Sequence, residues 1–125
     1  MSEEKTRYTD EELEEFKKLI LEKLEQAQKS YDDYSEQLRN RDGSLIDNTA
    51  DQENAQENLS QESISIMAGR MEKYIRNLRN ALIRIENKTY GIDRITGKLI
   101  PAARLRIVPH ATLDVSTKNS LNEKR

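Results

Sequence analysis

The stretch YGIDRITG, residues 90–97, is followed by a second version of its own spacing in LDVST, residues 113–117. Asp93 and Thr96 form a D-x2-T pair, and Asp114 and Thr117 repeat it. The chain therefore carries D-x2-T-x17-D-x2-T. With cysteine at those four places the frame would be C-x2-C-x17-C-x2-C, a structural zinc spacing. The chain has no cysteine. Structural zinc takes thiolate and imidazole, whereas two aspartates and two threonines offer only oxygen. The single histidine, His110, lies outside the four positions. No structural zinc is expected.

Two uses of these residues stay open. In one, Asp93 and Asp114 accept hydrogen bonds from threonine hydroxyls and turn amides, closing each knuckle as a metal would, in the manner of Asx and ST turns. In the other, the oxygens bind a hard cation such as magnesium or calcium. The low oxygen count and the lack of other acidic residues nearby favour the first.

Around the knuckles the chain reads as a small module. Tyr90-Gly91 starts a turn. Ile92, Ile95, Leu99 and Ile100 surround Thr96-Gly97, which predicts a tight hairpin with short strands. Pro101 suits the first position of a short helix over 102–105. Pro109 breaks the chain again, Leu113 and Val115 are expected to pair back onto the hairpin, and the remaining tail is polar. A unit of about 30 residues has too little core to fold alone. It is expected to pack on the base of what precedes it.

What precedes it has helical period. Thr9-Asp10-Glu11-Glu12 fits a capping box, and acidic residues fill the first turns. Leu13, Phe16, Ile20, Leu24, Ala27, Tyr31, Tyr34 and Leu38 then follow in steps of three and four, as one face of a helix ending near Asn40 to Gly43. Ile64, Met67, Met71, Ile75, Leu78, Leu82 and Ile85 make a second stripe, ending near Asn87 and Lys88. An earlier start for that helix is suggested by Thr49-Ala50-Asp51-Gln52, another capping pattern. Two comparable stripes joined by a polar loop predict an antiparallel helical hairpin. The fold class is mainly α: a long coiled-coil hairpin over 1–88 with its tip near 41–56, and a small zinc-finger-like globule lacking zinc, with a polar tail, over 89–125.

Charge is uneven along this plan. Between Arg41 and Arg70 there is no lysine or arginine, while Asp42, Asp47, Asp51, Glu53, Glu57 and Glu62 fall there. The far end of the hairpin should be acidic. Arg70, Lys73, Arg76, Arg79 and Arg84 should lie beside the acidic start of the first helix and pair across the base.

Composition agrees with this plan. At 125 residues, 34% hydrophobic and 35% charged, the chain suits one domain of long amphipathic helices with much wet surface. A net charge of −2 argues against electrostatic nucleic-acid binding by the whole molecule. The basic segment Lys98, Arg104 and Arg106 is small and has little aromatic content to stack on bases. No apolar run approaches the roughly 20 residues of a membrane span. The acidic N-terminus is not that of a signal peptide. A cytoplasmic, probe-like monomer without cofactor or membrane contact is expected. Neither a nucleophile–base constellation nor a phosphate-binding glycine loop is present, so no enzyme is expected.

Asn87-Lys-Thr-Tyr-Gly-Ile92, Gly97-Lys-Leu-Ile-Pro101, Arg104-Leu105 and Val108-Pro-His-Ala-Thr-Leu113 together resemble the DksA/TraR family of bacterial transcription regulators. There a Tyr/Phe-Gly-x-Cys start, an Arg-Leu and a Pro-x-Ala-x-x-Cys second knuckle recur in this order. The resemblance covers about residues 60 to 118 by sequence and the whole chain by architecture. All four cysteines are replaced, at Asp93, Thr96, Asp114 and Thr117.

The resemblance implies direct binding to RNA polymerase and not to DNA. It implies a hairpin that enters the secondary channel with acidic tip residues acting near the active site. For some members it implies a joint response with guanosine tetraphosphate, the alarmone of the stringent response. The family's Asp-x-x-Asp-x-Ala tip falls on Ala50, Glu53 and Ala55, with Asp51 next to the missing first acid and Asp47 also among the candidate tip residues. Lys118 occupies a basic position used by the family and is the candidate alarmone contact, while Val108 stands where a basic residue is often found. The alternative function is a non-enzymatic adaptor or assembly protein whose hairpin pairs with another coiled coil.

Overall fold

A computed structural model describes residues 6–43 and 60–123. The expected tip residues Asp47, Asp51, Glu53 and Ala55, and the capping pattern at Thr49, lie outside the described residues. Two long helices carry the two apolar stripes: α1 spans Asp10–Gly43 and α2 spans Gln61–Glu86. Thr9 and Glu12 form the reciprocal capping box. The Glu12 amide donates to Thr9 Oγ1 at 3.1 Å and the Thr9 amide to Glu12 Oε1 at 2.8 Å.

The described part of the second helix begins at Gln61. Ser60 is its cap, accepting the Ser63 amide at 3.1 Å. At its other end Lys88 adopts φ 65°, and the amides of Thr89 and Tyr90 return to the Arg84 carbonyl at 2.9 and 3.2 Å. This is a left-handed helix stop with lysine where glycine is usual.

The chain forms two compact units, one from Met1–Leu24 with Asn77–Arg125 and the other from Glu25–Arg76. In the second unit Ala27, Ile64, Ala68 and Ile75 are buried, with Tyr31, Tyr34, Met67 and Met71 half-buried beside them. These are the stripe residues and their immediate neighbours, as helical periodicity requires.

The first unit has an aromatic centre. Phe16 meets Tyr8 edge-on at 5.3 Å and Tyr90 at 5.2 Å between ring centroids. Leu13, Ile20, Leu78, Ala81, Ile85, Ile100 and Leu105 complete the core. The Tyr8 hydroxyl donates to the Ile100 carbonyl, and the Tyr90 hydroxyl donates to the Pro109 carbonyl at 2.8 Å. Each buried ring thus places its polar end on a backbone acceptor of the small module. Lys88 pairs with Asp10 at 2.8 Å. Arg84, expected to pair with the acidic start of α1, instead reaches the His110 carbonyl at 3.5 Å.

The module itself departs from the expected strands. Its turn is tied by Asp93 N to the Lys98 carbonyl, Gly97 N to the Asp93 carbonyl and Ile100 N to the Gly91 carbonyl, at 2.7, 2.8 and 2.7 Å. The strands reduce to one antiparallel bridge, Ile92 to Leu99. The ladder cannot lengthen because the amides of Ile95 and Thr96 turn to the Asp93 side chain and Pro101 has no N–H to give. A short helix, α3, follows over Ala102–Ile107 with Leu105 buried.

Leu113 and Val115 do not pair back as a strand. Arg94 N donates to the Thr112 carbonyl at 3.0 Å, and Val115 opens a further helix, α4, over Val115–Glu123. The segment read as a polar tail is therefore largely helical. Among the described residues, no helix is long and apolar enough to cross a membrane.

Candidate functional site

The four knuckle positions converge on one carboxylate. Asp93 is 1% exposed. Its Oδ1 accepts the amides of Ile95 at 2.8 Å and Thr96 at 3.1 Å, inside its own turn. Its Oδ2 accepts the Asp114 amide at 3.0 Å, and the Thr117 hydroxyl donates to the same carboxylate. One side chain thus joins both knuckles. Burial alone would raise its pKa and is the largest single influence. The donors from Asp114, Thr117, Ile95 and Thr96 together outweigh it and hold the carboxyl at about 2.

Two of the other three residues, Asp114 and Thr96, have local duties. Asp114 caps α4: its Oδ1 accepts the Val115 amide at 2.7 Å, its Oδ2 the Ser116 hydroxyl at 3.2 Å, and its carbonyl the Lys118 amide at 3.0 Å. Thr96 Oγ1 accepts the Lys98 amide at 3.2 Å, tightening the turn before Gly97. Thr117 is the buried hydroxyl that reaches Asp93. The sequence reading paired aspartate with threonine and turn amides. It did not anticipate that Asp93 would serve both turns while Asp114 faced its own helix.

A zinc ion does not fit this arrangement. Thiolate and imidazole are missing from the four positions. The Asp93 oxygens already accept four donors, whose N–H and O–H dipoles point positive charge at the spot where a cation would sit. The same dipoles oppose a hard cation. Among the described residues no group of three or more histidine, cysteine, aspartate or glutamate side chains is placed to hold a metal.

Beside the knuckles lies a cationic corner. Arg104 Nε donates to the Leu113 carbonyl at 2.8 Å, and Arg84 approaches the His110 carbonyl. Burial lowers the pKa of the Arg84 guanidinium, against an opposing pull from Tyr90. Burial, then Arg84 and then Arg104, holds His110 below the ordinary imidazole range, so it is neutral near pH 7. Lys118 is exposed on α4. Val108 is half-buried at the end of α3.

Sequence reasoning missed Tyr8 and Arg84 as ties to the module. Tyr8 meets Ile100 across 92 positions, a separation that no local pattern reports.

No family model and no curated protein matches the sequence. In three dimensions the chain is similar to the transcription factor DksA2 from Pseudomonas aeruginosa, with a TM-score of 0.73 and 24% identity over 90% of this chain and 84% of that one. The fold of this cysteine-free, mainly helical chain is therefore DksA-like.

Proposed function

We propose that the protein is a transcription regulator that binds RNA polymerase through the secondary channel, with the acidic segment between α1 and α2 as the part that acts. The observation that carries this reading is the likeness of fold to a transcription factor over nine-tenths of the chain. The sequence adds a run from Asp42 to Glu62 with six carboxylates and no cation. Such a charge would speed docking onto a basic channel rim and lose force as salt rises. Asp51 and Glu53 are the residues proposed to act near the polymerase magnesium, with Asp47 and Ala55 shaping the same segment. Lys118 is the residue proposed to meet guanosine tetraphosphate. The protein acts by binding and not by catalysis.

The competing reading, a coiled-coil adaptor, draws on Leu21 and Ile66, large apolar side chains 45% and 51% exposed on α1 and α2. Substitution separates the two. Asp51→Asn with Glu53→Gln should abolish the effect on transcription in a purified polymerase assay and leave polymerase binding largely intact. If those changes do nothing while Leu21→Ser or Ile66→Ser abolishes partner binding, the adaptor reading replaces the regulator.

A further inference from the structure

We propose that α4 is a latch closed by one pin, the hydrogen bond from the Thr117 hydroxyl to the Asp93 carboxylate, and that this helix is released alone while the rest of its unit stays folded. The inference goes beyond the polymerase reading and stands without it.

The exposure pattern of α4 is the first ground. The helix has nine residues. From Val115 to Asn122 every residue except Thr117 is exposed, including Val115 at 47% and Leu121 at 40%. A helix of that length is marginal in water and needs tertiary contact to persist. Most helices get that contact from an apolar stripe, as α3 does through fully buried Leu105. Among the described side chains of α4 the buried one is a threonine, 9% exposed, whose hydroxyl reaches Asp93. The Asp114 cap orders the first turn but belongs to the same segment, so it does not dock the helix.

The second ground is a sharp boundary just before the helix. The Thr112 carbonyl accepts Arg94 N at 3.0 Å and the Leu113 carbonyl accepts Arg104 Nε at 2.8 Å. Ala111 is buried. The chain up to Leu113 is thus fixed by partners that do not involve α4. Among the described residues, the hydrogen bonds that tie the chain from Asp114 onward to the module are the two at Asp93, from the Asp114 amide and the Thr117 hydroxyl.

The chemistry of the pin sets how it opens. Metal–thiolate bonds at a closed structural site hold two knuckles together as part of the folding energy. A carboxylate joining the same two knuckles by hydrogen bonds opens and closes thermally, within the low-energy local openings that folded proteins undergo. Its pKa, lowered to about 2 by those hydrogen bonds against the opposing effect of burial, keeps it charged across the physiological range, so the pin does not depend on ambient pH. Lys118 rides on α4, one residue beyond the pin, and is presented in a fixed position only while the pin is closed.

Native-state hydrogen exchange on the full chain tests this. The amides of residues 119–123 should be protected, yet exchange at least about 100-fold faster than those of Leu78 and Ile85 in α2. Thr117→Val, which keeps the shape and removes the hydroxyl, should speed exchange in α4 about ten-fold and leave α2 unchanged. Thr117→Ser should retain most of the protection. Asp93→Asn should speed exchange in α4 and at Ile95 and Thr96 together. Exchange of α4 at the same rate as Leu78 and Ile85 would overturn the proposal, as would exchange at the rate of an unfolded peptide in the parent protein. So would a Thr117→Val variant whose α4 rates match the parent.

Discussion

The Tyr8 ring lies so close to Gly91 that a Cβ on Gly91 would stand 2.6 Å from Tyr8 Cε2. Gly91 also holds φ +78°, which side chains rarely adopt. The two demands coincide at the point where the chain leaves α2 and enters the module. Gly91→Ala should cost about 2 to 4 kcal/mol, from overpacking and a left-handed backbone together. Denaturant melts measure it. Tyr8→Ala in the same chain should remove the clash, so the double variant should lose less than the sum of the singles.

Asp93→Asn removes the charge and turns one acceptor into a donor that faces other donors. It should cost about 2 to 3 kcal/mol, the range for a hydrogen-bonded buried charge. The pH dependence has a definite sign. The folded carboxyl titrates at about 2, below its ordinary value of 3.8, so its contribution is complete above pH 5 and is lost as pH falls through 2. The parent should lose about 1 to 2 kcal/mol over that window relative to Asp93→Asn. Parallel melts at pH 6 and pH 2.5 test this.

Tyr90→Phe should cost about 1 to 2 kcal/mol by leaving the Pro109 carbonyl unpaired in a site where Tyr90 is fully buried. Burial holds the Tyr90 phenol well above its ordinary range, with Arg84 pulling the other way and Tyr8 adding to the rise. A raised folded value means stability that is present below pH 10 and lost as pH climbs further. The parent should therefore melt more easily above pH 10, and Tyr90→Phe should show a smaller alkaline loss.

Treatment with a strong chelator should leave the melting temperature unchanged, and added zinc should not raise it, because the knuckles are joined through Asp93 and not through an ion. A fall of several degrees on chelation would contradict that account. Elemental analysis of the purified protein tests the same point independently, since a stoichiometric metal would have to displace four hydrogen bonds.

Much of this fold was legible because its signals are local. Thr9 and Glu12 lie within one turn of each other, and the stripe from Ile64 to Ile85 repeats at helical spacing. The module was less legible because its key side chains have two possible partners each. Asp114 looks like a knuckle ligand, and the same spacing of Asp-Val-Ser-Thr is an N-cap signal. Its capping role turned an expected strand and tail into α4. Asp93 drew the amides that a strand ladder would have used. Tyr8 and Arg84 act across long sequence separations, where periodicity carries no information. Of the candidate site, the four positions were found from spacing, while the concentration of both knuckles on one carboxylate required coordinates.

Binding to purified core RNA polymerase tests the central claim most directly. The full chain should co-purify with the core enzyme at low ionic strength and dissociate progressively as salt rises, with its transcriptional effect lost in the Asp51→Asn, Glu53→Gln variant. Failure to bind the core enzyme at low salt would contradict the account.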